Sequence, residues 1–169
     1  IGGVDRGWTV GKRLLQFERS THAGINISGS QGGRNEESQL PELVAHYVGK
    51  ADGRIAEASI RTWLTRHDMN THAQRITQRR AIAELQSRAP GFTSSAVKLT
   101  NALNIQDGDE LLMAAMGNSA YHWDTDSGAS EKEVAAVKKW LYQKSLTIAG
   151  GTKEVQLNII AKRVLGLPD

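Results

Sequence analysis

Apolar residues recur every three or four positions along most of the chain, and this spacing constrains the fold more than any other feature. It places them together on one face of an α-helix. The clearest series covers about six turns and consists of Leu43, Val44, Tyr47, Val48, Ala51, Ile55, Ala58 and Trp63. No stretch alternates with period two for long enough to predict a sheet. We therefore predict an all-α fold, an antiparallel bundle of five or six helices.

Capping and turn residues predict where several helices begin or end. A first helix is expected from Gly3 to about Ile27. Asp68 to Thr71 is read as a break or a cap, and the Asp107-Gly108 step as a kink or a break. Ser130 and Glu133 form a capping-box pattern, in which a serine and a glutamate three residues apart satisfy the free N–H groups of a helix start.

Composition excludes several classes of function. The 169 residues suffice for one domain with a core, and a hydrophobic fraction of 39% with 23% charged residues is typical of a globular protein. The absence of cysteine excludes disulfides, thiolate metal sites and cysteine nucleophiles. A net charge of +3 does not indicate a nucleic-acid partner, and no apolar run approaches membrane-spanning length. His67 and His72 are off the spacing that puts two zinc ligands on one helix face, so no metal site is predicted.

The stretch from Ser145 to Pro168 combines a glycine pair, a helix start and an abrupt stop. Gly150 and Gly151 allow backbone angles closed to other residues, and Thr152 is the expected N-cap. Such a turn can present N–H donors to a phosphate or carbonyl oxygen, although most such turns merely connect packed helices. The residues expected to form a buried stripe on the helix that follows are Leu157, Ile160 and Val164, with Val155 and Ile159 beside it.

This stretch closely resembles the C-terminal signature of the acyl-CoA dehydrogenases. The residues that match it are Gly151, Thr152, Glu154, Gln156 and the run from Arg163 to Pro168. The chain's beginning, Gly7-Trp8 followed by Leu14 to Arg19, is similar to the first helix of the same domain. The resemblance implies that residues 1–169 are the C-terminal helical domain of such a protein, a fragment without the family's N-terminal helical and middle β domains.

The resemblance also implies a function. The family uses FAD to oxidise an acyl-CoA thioester to the 2,3-enoyl-CoA, so FAD and acyl-CoA are the expected cofactor and substrate. Gly151, Thr152 and Glu154 match positions that contact FAD. Electron-transfer flavoprotein is the implied electron acceptor, and a homo- or hetero-oligomer is expected. The implied location is the bacterial cytoplasm or, in a eukaryote, the mitochondrial matrix. Activity of the fragment alone is not expected.

The catalytic base is the main departure from the family pattern. Many members carry a carboxylate directly before the Gly-Thr pair, where this chain has Gly150. Other members carry the base on the domain's first helix, and the position that matches is Glu18. The alternative is that Glu18 is a solvated helix-surface residue paired with Arg19 or with His22.

Two other flavin-binding elements of the family are degraded. The Arg-x-x-Phe-Gly motif expected between Ser28 and Gln39 has no counterpart, since Arg34 is only a nearby cation. The Gln-x-x-Gly-Gly-x-Gly-Tyr segment survives at best as Met116 to Tyr121. Two alternatives therefore stay open: a non-catalytic subunit of a heteromeric acyl-CoA dehydrogenase, and a helical interaction domain without activity.

The sequence also contains a cluster of three arginines, Arg75, Arg79 and Arg80. Two interpretations of it stay open: the cluster holds a phosphate, or it forms a solvated helix face.

Overall fold

Helices dominate the computed structural model, which describes residues 2–22, 39–87 and 93–168. Six α-helices and one short hairpin occur in these ranges. Their bounds are α1 Gly7–His22, α2 Leu40–Val48, β1 Lys50–Ala51, β2 Arg54–Ile55, α3 Ala58–Gln86, α4 Thr93–Met116, α5 Glu131–Gln143 and α6 Lys153–Ile159. The predicted all-α fold is confirmed. The predicted end of the first helix near Ile27 lies outside the described residues.

A β-hairpin interrupts what the apolar spacing predicts to be one helix. α2 ends at Val48, and Gly49, its C-cap, has a φ of 79°. β1 then pairs antiparallel with β2 through a turn at Asp52 and Gly53, whose φ angles are 51° and 74°. The prediction of a continuous helix through Trp63 was therefore wrong. The spacing misled because Ile55, although in a strand, packs against the same core as the helical residues on either side of it.

Two predicted breaks do not occur. α3 continues through Asp68 to Thr71, and α4 continues through Asp107 and Gly108. Gly108 instead makes room for a neighbouring side chain, because a Cβ built there would lie 2.9 Å from Cε1 of His67. Within α4, Gly108 therefore allows the close packing of the His67 ring.

The chain divides into two units, with the boundary falling inside α3 and inside α4. The second unit comprises Gln31–Ala73 and Leu103–Ser145. Trp63 and Trp140 lie half-buried against its two apolar clusters, as packing residues. The buried members are Leu40, Val44, Ile60, Leu64, Leu111 and Ala115 in one cluster, and Met113, Met116 and Val137 in the other. The predicted capping box at the start of α5 is confirmed.

The first unit comprises Ile1–Ser30, Gln74–Ala102 and Leu146–Asp169. Ala81 and Val97 are buried together there, with Ile82 beside them. The stripe predicted to be buried on the last helix is only partly so: Ile159 and Ile160 are half-buried, but Leu157 is 45% exposed and Val164 is 47% exposed. α6 also passes into a π turn over Ile160–Val164, which changes the angular spacing that the prediction assumed.

No helix in the described ranges is long and apolar enough to cross a membrane.

Candidate functional site

The glycine pair before α6 forms a turn that other residues would adopt with difficulty. Gly150 has a φ of 68° and Gly151 a φ of 101°, both in the region that favours glycine. The Gly151 N–H donates to the Ile148 carbonyl at 3.2 Å. A Cβ on Gly151 would lie 2.7 Å from Nε2 of Gln156, so conformation and packing both require glycine there. The space that a side chain would need is taken by Gln156 and Val155.

Thr152 begins α6 as its N-cap, as predicted. Its φ of −65° and ψ of 167° are extended, and its Oγ1 accepts the N–H of Val155 at 3.5 Å. This capping bond is long and therefore weak. Glu154 lies in the first helical turn with an exposed side chain. Hydrogen bonds from its own backbone N–H and from the Thr152 hydroxyl lower the pKa of Glu154. The turn thus combines a hydroxyl on a half-buried side chain with an exposed carboxylate.

Two buried side chains hold the carbonyls of the glycine pair. Nε2 of Gln156 donates to the Gly150 carbonyl at 2.9 Å, and the Lys98 ammonium donates to the Gly151 carbonyl at 2.5 Å. Gln156 is 0% exposed and Lys98 is 2% exposed. Gln156 belongs to the signature found in the sequence, but Lys98 was not predicted. Its weak signal is a lysine standing directly between the apolar residues Val97 and Leu99.

Glu18 lies on α1, in the same unit as the glycine turn. Its side chain is exposed, as are the apolar side chains of Trp8 and Leu14 on the same helix. Gly151, Thr152 and Glu154 are joined in one turn, whereas Glu18 comes from a separate helix. Its role as base stays a prediction.

His67 belongs to a different polar cluster, in the second unit. It is 5% exposed, and its Nδ1 lies 2.9 Å from Oδ2 of Asp107. The indole N–H of Trp63 donates to the other oxygen of Asp107 at 2.8 Å. His72, by contrast, is exposed. The described residues contain no group of three or more His, Asp or Glu side chains placed to hold a metal ion. The His67 cluster is therefore best read as a packed, hydrogen-bonded pair.

The remaining candidates lie at the surface. Arg75, Arg79 and Arg80 are exposed on α3, and Nε of Arg80 pairs with Oε1 of Glu84 at 3.1 Å. The segment read as a degraded flavin-binding element forms a 3-10 turn over Gly117–Tyr121. The position of the missing Arg-x-x-Phe-Gly motif lies almost wholly outside the described residues.

Residues 5–165 match the family model described as the acyl-CoA dehydrogenase C-terminal domain. The chain belongs to the acyl-CoA dehydrogenase family. Its fold is that of the family's C-terminal helical domain, and the glycine turn and Thr152 cap lie at the end of that domain.

Three mycobacterial acyl-CoA dehydrogenases are similar over nearly the whole chain. IpdE1 of Mycobacterium tuberculosis (strain ATCC 25618 / H37Rv) is 31% identical over 169 residues, and IpdE1 of Mycolicibacterium smegmatis (strain ATCC 700084 / mc(2)155) is 28% identical over 169. FadE34 of the same M. tuberculosis strain is 31% identical over 170 residues. The alignments cover 99% of this chain but 40%, 38% and 21% of those relatives. This acyl-CoA dehydrogenase domain therefore spans less than half the length of each.

Proposed function

We propose that the full-length protein oxidises an acyl-CoA thioester to the 2,3-enoyl-CoA with FAD, and that this chain is its C-terminal helical domain. Family membership, together with the turn at Gly150, Gly151 and Thr152, carries the proposal. In the reaction the substrate loses its α-proton to a base and a hydride from its β-carbon. FAD, when bound, supplies the hydride acceptor, and electron-transfer flavoprotein is the proposed acceptor of the electrons.

The residues at the turn suit contact with FAD. Gly151 has a φ of 101°, which lets the turn present its backbone groups, while the space of the missing side chain is filled by Gln156 and Val155 of this chain. The Glu154 carboxylate is exposed, the Thr152 hydroxyl beside it is on a half-buried side chain, and both groups can bind polar groups such as ribityl or ribose hydroxyls. Glu154 is negatively charged, so it suits these hydroxyls better than the pyrophosphate. We propose Gly151, Thr152 and Glu154 as the FAD contacts of this chain.

Glu18 is the proposed base. A carboxylate removes an α-proton efficiently only when it is held against the α-carbon and shielded from water, because desolvation raises its basicity. The Glu18 side chain is exposed in this chain. The proposal therefore requires that bound acyl-CoA and FAD, with parts of the protein outside the described residues, supply the shielding.

Glu18→Gln tests the role directly. It keeps the size and hydrogen-bonding capacity of the side chain but removes the proton acceptor. We expect bound FAD to be retained and turnover to fall by roughly two to four orders of magnitude. Glu131→Gln is the matched control, because it removes an exposed glutamate from the first turn of α5 in the other unit. Turnover of the Glu18 variant within a few-fold of wild type would remove Glu18 from the role.

A second candidate is a non-catalytic subunit of a heteromeric acyl-CoA dehydrogenase. Two observations favour it: Gly150 stands where many members have the base, and Glu18 is exposed. In that case the purified protein would bind FAD without oxidising acyl-CoA, and a partner chain would restore turnover. Turnover by the protein alone, abolished in Glu18→Gln, would reject this candidate.

A further inference from the structure

The glycine turn needs an external restraint to keep one conformation. Gly150 and Gly151 are consecutive and both have positive φ. Glycine loses more conformational freedom on ordering than any other residue, so a Gly-Gly pair resists being fixed. A binding surface made of backbone groups is useful only if those groups point in a fixed direction. Contacts to the glycine carbonyls from outside the turn therefore determine whether the turn keeps one conformation.

Lys98 makes such a contact from α4. Its ammonium donates to the Gly151 carbonyl at 2.5 Å, across 53 residues of sequence. Burial lowers the pKa of Lys98, since desolvation disfavours the charged amine. A buried amine is costly to retain unless it makes a strong hydrogen bond, and a bond from a charged donor is about twice as strong as a neutral one.

Because the peptide unit is planar, the contact at the Gly151 carbonyl also fixes the direction of the Thr152 N–H. The bond between Gly151 and Thr152 is trans, so the Thr152 N–H points opposite to the Gly151 carbonyl. Lys98 draws that carbonyl toward the interior and so directs the Thr152 N–H the other way. Gln156 acts in the same manner on the preceding peptide, by holding the Gly150 carbonyl at 2.9 Å. Its other amide atom, Oε1, is buried and has no hydrogen-bond partner among the described residues.

We propose that Lys98 is a positioning residue, which fixes the Gly150-Gly151-Thr152 turn in the orientation that binds the flavin. This rests on the proposed FAD contact at the turn. Lys98 acts through the Gly151 carbonyl, and contact with cofactor or substrate is not part of its role. Loss of the ammonium lets the turn adopt other conformations and so weakens FAD binding. The loss of FAD affinity is larger than the loss of folding stability alone would cause.

The test compares Lys98→Met with Gln74→Met in the full-length protein. Gln74 is a matched control: it is 7% exposed, lies in the same unit, and donates from Nε2 to a backbone carbonyl, that of Val97, at 3.0 Å. FAD dissociation constants are measured by fluorescence titration of apoprotein, alongside melting temperature and the visible circular dichroism of bound flavin. We expect Lys98→Met to weaken FAD binding by at least about tenfold and to change the dichroism. Gln74→Met should lower the melting temperature and keep wild-type affinity.

The outcomes separate this inference from the proposed function. Wild-type protein that binds no FAD would reject the proposed function itself. Wild-type binding with unchanged affinity in Lys98→Met would overturn the role of Lys98 alone. Equal loss of affinity in both variants, in proportion to melting temperature, would overturn it too, because the lysine would then be merely structural. If Lys98→Met does not fold, Lys98→Gln replaces it, since that side chain is one bond shorter and falls short of the Gly151 carbonyl. Wild-type affinity in that variant would also overturn the inference.

Discussion

Gly108 shows how one missing side chain decides the packing of two helices. A Cβ there would lie 2.9 Å from Cε1 and 3.1 Å from Nε2 of His67, and 3.6 Å from Cδ2 of Leu40. The ring of His67 cannot easily move aside, because its Nδ1 is held 2.9 Å from Asp107 Oδ2. Thr71 lies on its other side, with Oγ1 3.5 Å from Nε2. The glycine is thus needed for space and not for backbone freedom.

Gly108→Ala is expected to destabilise the protein although alanine is the better helix former. Higher helix propensity would contribute up to about 1 kcal/mol in favour of the variant. Overpacking against His67 costs about 1–3 kcal/mol, so we expect a net loss of up to about 2 kcal/mol. Urea unfolding measures this free energy. Gly11→Ala in α1 is the control, since its nearest neighbour would lie at an ordinary 3.7 Å and the change should be neutral or stabilising. A Gly108 variant as stable as wild type would refute this account.

Residues whose role depends on a distant partner are the ones that sequence alone does not reveal. The Thr152 cap was predictable because its partner, Val155, lies three residues away. His67 and Lys98 find their partners 40 and 53 residues along the chain. Before the helices are packed, the one weak sign of the burial of Lys98 is its position between Val97 and Leu99, and His67 carries no such sign.

At the scale of elements, the start of α5 is specified by its own sequence. Oγ of Ser130 accepts the Glu133 N–H at 3.3 Å, and the Glu133 carboxylate accepts the Ser130 N–H at 2.8 Å. Oε1 of Glu133 also accepts the Tyr47 hydroxyl at 3.3 Å. The Ser130 backbone N–H is the largest cause that lowers the pKa of Glu133, followed by the Ser130 hydroxyl. The ionised carboxylate is therefore favoured in the folded state.

The capping box should make stability depend on pH in one direction. Because the folded pKa of Glu133 lies below its ordinary value of 4.5, its contribution is present above that pH and is lost as pH falls through the folded pKa. We expect Glu133→Gln to be less stable than wild type at neutral pH, with a difference that shrinks on acidification below 4.5. Urea unfolding at several pH values measures the difference. Glu131→Gln, outside the capping box, is the control. If the difference in unfolding free energy between Glu133→Gln and wild type stayed constant as the pH fell well below 4.5, the role given to the Glu133 carboxylate would be contradicted.

Features determined by residues close together in the sequence, such as the start of α5, were predicted correctly. Features that depend on packing between distant parts of the chain were not. The prediction of a continuous helix through Trp63 was wrong because apolar spacing continues through the hairpin between Lys50 and Ile55. The prediction of a buried stripe on α6 was partly wrong, for another reason. Amphipathic spacing predicts which residues share a face, but not which surface covers that face. Gln156 is fully buried there, while Leu157 next to it is exposed.

At the scale of the whole molecule, this chain supplies part of the proposed site. It accounts for 40% of the length of the M. tuberculosis IpdE1 relative. Its proposed contribution is the turn at Gly151 and Thr152, the Glu154 carboxylate and, from α1, Glu18. The helical fold and the family were predictable from the sequence because the signature residues cluster in one stretch. The surroundings of Glu18, the proposed base, were not predictable, since its side chain is exposed in this chain and the proposal needs shielding from elsewhere.

The visible absorption spectrum of the full-length protein, recorded before and after a panel of acyl-CoA thioesters, tests the central claim most directly. We predict flavin absorbance in the purified or FAD-reconstituted protein, and bleaching of that absorbance by at least one acyl-CoA. The isolated chain of residues 1–169, titrated with FAD, is the control and should bind weakly. Full-length protein that binds no flavin, or bound flavin that no acyl-CoA bleaches, would contradict the proposed dehydrogenase activity.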